Sequence, residues 1–419
     1  MSAASAFGRR DGFRYGLLGL PMAFVALPLY VIVPNHYARE FGIPLALLGA
    51  VLLVARLFDA FIDPLIGRWV DRLYARSTGA VLRFGAGAAG LLAVGFALLF
   101  LPPVREPGPA LAWAGATLAL TYAAYSALSV AHQSWGAMLG GDEAQRSRVV
   151  AWREGLGLVG VLLASVAPLA LGLPLTAALF AGLLAAGYVA WRCSLRPQAR
   201  PGGGAEALWL PFTRAPFRRL LLVFMLNGTA SAVPATLVLF YVQDRLQAPR
   251  AIEPAFLASY FLCAALSVPL WLALVRRIGL ARSWLAGMLL AIAAFAFALP
   301  LGTGDVVAFL VVCAVSGLAL GADLALPGAL LAGVIEGAGD RGRHEGAYFG
   351  WWNFATKLNL ALAAGLALPL LQLAGYAPGA RGEGPLQALV IAYCLLPCLL
   401  KLLAAASLYF GVIRVKGAS

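Results

Sequence analysis

Long apolar runs separated by short polar breaks fill this chain. They occupy residues 13–34, 44–70, 83–103, 110–139, 149–171, 173–191, 218–243, 254–275, 284–300, 305–334, 347–374 and 385–413. A helix needs about 20 mostly apolar residues to cross the hydrocarbon of a bilayer. The runs are close to that length, so the pattern predicts about twelve transmembrane helices. A membrane barrel would show strands of about ten residues alternating apolar and polar, and these runs do not alternate. The slightest break lies between the fifth and sixth spans, at Gly172 to Pro174. No small-residue cleavage pattern follows the first run, which is therefore read as a span rather than a leader.

Composition agrees. Of 419 residues, 62% are apolar and 12% charged, against about 25% charged in a soluble domain. A chain this apolar has too little polar surface to face water, whereas lipid accepts apolar side chains on the outside. The fold class expected is an all-α integral membrane protein with no sizeable soluble domain. The five cysteines, Cys193, Cys263, Cys313, Cys394 and Cys398, lie in or beside apolar runs and read as small packing residues without disulfides.

The net charge of +13 suggests nucleic acid only until its distribution is considered. With the N-terminus inside, basic residues cluster on the inner side: Arg9, Arg10 and Arg14; Arg68, Arg72, Arg76 and Arg83; Arg146, Arg148 and Arg153; the group from Arg192 to Arg219; Arg276, Arg277 and Arg282; Arg341 and Arg343; Arg414 and Lys416. The outer loops hold Arg39, Arg105, Arg245, Arg250 and Arg381. Because basic residues concentrate in cytoplasmic loops, both termini are expected in the cytoplasm of a bacterial cell, with the chain in its inner membrane. No nucleic-acid partner is needed.

The longest break, 192–217, contains Arg196-Pro197-Gln198-Ala199-Arg200-Pro201 followed by glycines. Such density of Pro, Gly and charge reads as a flexible linker. It divides the chain into a bundle of six helices at 1–191 and another at 218–419. An internal repeat supports the division. Pro64-Leu65 with Val70 and Arg72 in the second span recurs as Pro269-Leu270 with Val275 and Arg277 in the eighth, at an offset of 205 residues. Parallel repeats of this kind occur in transporters that alternate access around a central site.

Ionisable groups inside a span are costly, so they mark ion or substrate paths by default. Arg56, Asp59 and Asp63 lie on one stripe of the second span. Two carboxylates one turn apart repel and remain ionised in a dry site only if a cation sits between them. Arg56 can offset one charge, and the other suits Na⁺ or a proton. The equivalent positions of the second repeat are Ala264 and Val268, so the acids are not there for helix packing alone. Lys357 in the eleventh span needs an anion, with Asp59 or Asp63 as candidates. Trp352 and Asn353, one turn earlier, are assigned to the solute cavity. Asp323 in the tenth span is read as a cavity or coupling group, or as the partner of Lys357. Lys401 reads as a side chain that snorkels to an interface. In the fourth span Tyr122, Tyr125, Ser126, Ser129, His132, Gln133, Ser134 and Trp135 form a polar series suited to lining a cavity.

Other motifs are set aside. Gly85-Ala86-Gly87-Ala88-Ala89-Gly90 matches a dinucleotide fingerprint but lies in an apolar helix with no preceding strand. His344-Glu345 lacks the second His of a zinc helix. No phosphate-binding Gly-Lys-Ser/Thr loop and no nucleophile–base pair stands out, so no enzyme activity and no cofactor beyond a coupling ion are expected.

Gly67-Arg68-Trp69-Val70-Asp71-Arg72 resembles the Gly-x-x-x-Asp-Arg signature of the major facilitator superfamily. The longer string from Ala55 to Gly67 is similar to the glycoside–pentoside–hexuronide:cation symporter family. So are Gln145 to Arg148 leading to Arg153, and Gly342 to Gly346 preceding Lys357. The resemblance covers nearly the whole chain and implies the major facilitator fold with two pseudo-symmetric halves. It implies secondary active transport of a small solute, a sugar or glycoside, coupled to Na⁺ or H⁺. It places Asp59, Asp63 and Ser126 at the cation site, Lys357 between the cation and substrate sites, and Arg56 and Arg153 in gating and coupling. Asp71 and Arg72 carry the superfamily signature. The family's sugar-binding acids on helices one and four correspond to Ala23 and Ser129, and the first span holds no acid. That departure leaves a lipid, lysolipid or organic anion as the alternative cargo. A monomer in membrane lipid, with a small-molecule solute, is the expected working state.

Overall fold

A computed structural model describes residues 7–43, 45–197, 208–376 and 379–414. Residues 198–207 of the expected linker, Arg200 among them, and Lys416 lie outside the described residues. The described chain is helical, without strands. Nine helices among the described residues are long and apolar enough to cross a membrane. The chain divides into two units. One comprises Met1–Pro211 with Ile335–Phe354, the other Phe212–Val334 with Ala355–Ser419.

The first unit contains α1 (Arg9–Gly16), α2 (Gly19–Leu27), α3 (Val33–Glu40), α4 (Leu45–Arg76), α5 (Thr78–Phe100), α6 (Pro107–Met138) and α7 (Glu143–Arg192). The first span is interrupted where its prolines fall, with a π-helical turn at Pro28–Ile32 between α2 and α3. Proline lacks the N–H that a continuous helix would use. Helix starts follow local chemistry. The Ser77 hydroxyl accepts the Ala80 N–H at 3.0 Å to begin α5, and the Asp142 carboxylate accepts the Gln145 N–H at 2.7 Å to begin α7. The slight break between the fifth and sixth spans appears as a kink in α7, where Gly172 has φ +76°, a conformation that side chains disfavour.

Helix α4 has its polarity turned inside out. Asp59, Ala60, Asp63, Gly67 and Val70 are buried, whereas Phe58, Phe61, Leu65 and Trp69 are exposed. Exposed leucines and valines on α5 and α7, such as Leu91, Val94, Leu162 and Val166, repeat this arrangement. Such a surface is stable against lipid, and the protein is a multi-pass membrane protein.

Helices α2 and α7 meet at backbone distance. A Cβ on Gly19 would lie 2.4 Å from the Arg153 carbonyl oxygen, and one on Gly160 would lie 2.0 Å from that of Leu20. Small residues let two membrane helices approach this closely. The contact sets Arg153 beside the first span.

The second unit contains α9 (Ala215–Phe240), α10 (Glu253–Ile278), α11 (Leu280–Ala298), α12 (Val306–Ala325), α15 (Glu383–Val390) and α16 (Leu396–Leu408). Three helices cross the unit boundaries: α8 (Leu210–Thr213), α13 (Pro327–Gly337) and α14 (Glu345–Leu373). The tenth span, expected as one run, is divided at Leu326 into α12 and α13 because Pro327 opens a new helix. In the second unit α10 packs on α12, α9 on α16, and α11 on both α12 and α16. Tyr241, Phe309 and Tyr393 form an aromatic stack within it.

Replacing Gly19 with Leu should destabilise the protein by about 1–3 kcal/mol, the usual range for overpacking. Gly87→Leu should have little effect, because nothing lies within 4 Å of a Cβ there. Thermal unfolding of the two variants in the same detergent checks the contrast.

Candidate functional site

Two helices of the first unit place the acids of the second span. Asp59 and Asp63 sit one turn apart on the buried face of α4, with relative exposures of 3% and 0%. Ser126 on α6, itself buried, donates its hydroxyl hydrogen to Asp59 Oδ1 at 2.8 Å. Asp59 is thus tied to Ser126 across the α4–α6 interface, with Asp63 one turn further along α4. Two carboxylates and a hydroxyl are hard oxygen donors of the type that Na⁺ prefers, and the carboxylates alone suffice to take a proton. Arg56, one turn earlier, lies on the exposed side of α4.

Beside this cluster, α2, α6 and α7 enclose a cavity of about 110 Å³. Its walls include Ala23 from α2, Tyr125, Ser129, His132 and Gln133 from α6, and Arg153 and Glu154 from α7. Gln133 Nε2 donates to Ser129 Oγ at 2.7 Å. Arg153 holds Glu154 through Nε at 3.0 Å and Nη2 at 2.5 Å. The pair joins the polar residues of α6 in lining the cavity. Ala23 and Ser129, the positions where the family resemblance would place acids, face the same cavity as Glu154. Sequence reasoning missed Glu154. Its signal was an ionisable residue inside a predicted span, next to an arginine already singled out.

His132 has a second attachment. Its Nε2 lies 2.9 Å from the Tyr15 carbonyl oxygen, so that nitrogen carries the proton. The ring stacks on Tyr15 at 4.3 Å, and the Tyr15 hydroxyl donates to the His132 carbonyl at 3.1 Å. This reciprocal pair clamps α1 to α6.

Asp71 ends the buried stripe of α4 in a different way. Its Oδ1 accepts the Gly346 N–H at 2.6 Å and its Oδ2 the Ala347 N–H at 2.8 Å. Both donors belong to the first turn of α14, where N–H groups have no intrahelical partner, and a carboxylate there also meets the positive end of the helix dipole. The helices touch at their backbones, since a Cβ on Gly67 would lie 2.0 Å from the Gly346 carbonyl oxygen. Arg72 is exposed at the same end. Trp352 is buried and Asn353 half-buried further along this part of α14, and neither is among the residues lining the 110 Å³ cavity.

Lys357 and Asp323 belong to the second unit. Lys357 is half-buried. Asp323 is held by Lys401 Nζ at 3.2 Å, Asn227 Nδ2 at 2.9 Å, Trp284 Nε1 at 2.9 Å and Ser231 Oγ at 3.3 Å. Lys401, expected to reach an interface, is instead 2% exposed and bonded inside the bundle. The paired acid on α12 removes the need to snorkel.

The fold is that of a polytopic helical membrane protein. A bacterial homologue of the iron transporter ferroportin, solved in the outward-facing state, is similar with a TM-score of 0.72 at 17% identity, covering 96% of this chain and 99% of that one. The Escherichia coli fucose:proton symporter is similar with a TM-score of 0.70 at 15% identity, covering 95% and 98%. The chain matches the MFS/sugar transport protein family across residues 12–414 and belongs to it. Among curated proteins, YagG of Escherichia coli (strain K12), whose name as a glycoside/cation symporter is provisional, is 28% identical over 188 residues, 44% of this chain and 39% of that protein. The inner membrane symporter YicJ of the same strain is 29% identical over 159 residues, 37% of this chain and 33% of that protein. These matches span about two fifths or less of the relatives' lengths.

Asp71→Asn should free one of the two α14 amides, because an amide side chain presents a donor where the carboxylate presented an acceptor. A hydrogen bond to a charged group is worth about 1.5–3 kcal/mol, so amide exchange at Gly346 and Ala347 should quicken by at least tenfold. Hydrogen–deuterium exchange of a peptide covering 343–350 reads this directly.

Proposed function

We propose that this protein is a cation-coupled symporter of a small hydroxyl-bearing solute in a bacterial inner membrane, with both termini cytoplasmic. Residues 1–191 and 218–419 are its two six-helix bundles, joined by a cytoplasmic linker at 192–217. The observation that carries the reading is the pair of buried acids on α4, with Ser126 bonded to the first of them. The names of the relatives, glycoside/cation symporter and inner membrane symporter, agree with it.

Asp59, Asp63 and Ser126 hold Na⁺ or take up a proton. Tyr125, Ser129, Gln133, Arg153 and Glu154 bind the solute. Glu154 accepts from solute hydroxyls and Arg153 donates to their oxygens, which is the bidentate recognition that planar charged groups supply. The two sites share α6, since Ser126 faces α4 and its neighbour Tyr125 faces the cavity. A cation that neutralises α4 draws Ser126 toward it, and a shift or rotation of α6 then carries Tyr125, Ser129 and Gln133. Each ligand favours the helix position that suits the other, which is reciprocal coupling. Asp71 closes the inner end of the first unit by capping α14, and Arg56 and Lys357 complete the gating and coupling set.

The test is uptake of radiolabelled pentoses, hexoses and methyl glycosides into proteoliposomes under an imposed Na⁺ or H⁺ gradient. Accumulation should require one of the two gradients and fall at least tenfold in Asp59→Asn and in Asp63→Asn. Ser126→Ala should raise the cation level for half-maximal uptake about tenfold, equivalent to about 1.4 kcal/mol of cation affinity. Gradient-driven accumulation that survives both aspartate changes refutes the cation site.

A further inference from the structure

The second unit encloses a larger cavity of about 200 Å³, formed by α9, α10, α11, α12 and α16. Its walls are mainly apolar and include Phe256, Tyr260, Phe261, Phe295 and Tyr393. Asp323 and Lys401 reach it from one side. None of its lining residues belongs to the cation cluster or to the cavity of the first unit.

Three features define what it can hold. The first is size. An apolar cavity of about 150 Å³ accommodates a benzene ring, so this one has room for a ring with a substituent. The second is shape and polarity of the walls, since clustered aromatic side chains pack best against another ring, stacked or edge-on. The third is charge. Asp323 already accepts four hydrogen bonds, from Lys401, Asn227, Trp284 and Ser231. Lys401 gives two of its three N–H groups, to Asp323 and to Asn227 Oδ1 at 2.8 Å. The ion pair is balanced, so a charged ligand would leave a net charge in an apolar bundle, at high cost. The remaining donor of Lys401 calls for one neutral oxygen acceptor, which a plain hydrocarbon does not offer.

We propose that this cavity is a binding site for a small neutral aromatic compound carrying a single hydroxyl, separate from the symport site. The ring lies among the aromatic walls, and its oxygen accepts the third Lys401 N–H.

The test uses the full-length protein in lipid nanodiscs and 4-fluorophenol as the probe, followed by fluorine NMR, with empty nanodiscs subtracted for partition into lipid. Saturable binding with one probe per protein is expected, and fluorobenzene and 4-fluorobenzoate should each bind at least tenfold more weakly. Ala319→Phe, which fills the cavity, should abolish binding. The charge-neutral pair Asp323→Asn with Lys401→Met should weaken it at least tenfold, so the proposal does not depend on one variant folding. Signals indistinguishable from empty nanodiscs overturn the proposal. So does saturable binding unchanged in both variants, or benzoate binding as tightly as the phenol. Native mass spectrometry that finds a lipid bound one-to-one to the wild type and absent from Ala319→Phe assigns the cavity to an acyl chain and overturns it equally.

Discussion

A carboxylate buried in a bundle that faces lipid has no water to stabilise its charge, and that constraint organises this molecule. Several acids inside the bundles meet different partners. Asp71 takes the free amides at the start of α14. Asp323 takes Lys401, Asn227, Ser231 and Trp284. Glu154 takes Arg153. Asp59 takes the Ser126 hydroxyl. The acids answered by helix ends and ammonium groups are settled parts of the fold.

Backbone proximity is the second organising feature. Gly19 and Gly160 let α2 lie on α7, and Gly67 and Gly346 let α4 cross the start of α14. In membranes, helices lack a hydrophobic drive to associate, so close van der Waals contact carries more of the association. These crossings also fix polar groups. The first holds Arg153 and Glu154 beside Ala23, and the second brings the α14 amides onto Asp71. Packing and polar chemistry are therefore set by the same small residues, and α6 then reaches both Asp59 and the cavity.

Much of this was legible in the residues themselves. Apolar run lengths announced membrane helices, and Asp59, Asp63 and Ser126 stood out because polar groups are rare in such runs. Of the polar α6 residues, Tyr125, Ser129, His132 and Gln133 line one cavity with Arg153, whereas Tyr122, Ser126, Ser134 and Trp135 are not among its lining residues. Asp323 and Lys401 were less readable. Each was noticed as an intramembrane charge, but their mutual pairing joins positions 78 residues apart, which no helical period connects. Glu154 is less legible because its partner Arg153 is adjacent in the chain rather than one helical turn away.

The amino-acid order alone determined that the chain lives in a bilayer and that α4 carries two acids on one stripe, because both follow from local periodicity and the cost of burying charge. Only the tertiary structure decided which donors the acids meet, which helix ends they cap, and that α6 bonds Asp59 and lines the cavity together. Those outcomes depend on which helices come within 3 Å of one another, and that is a property of packing between distant segments rather than of any one of them.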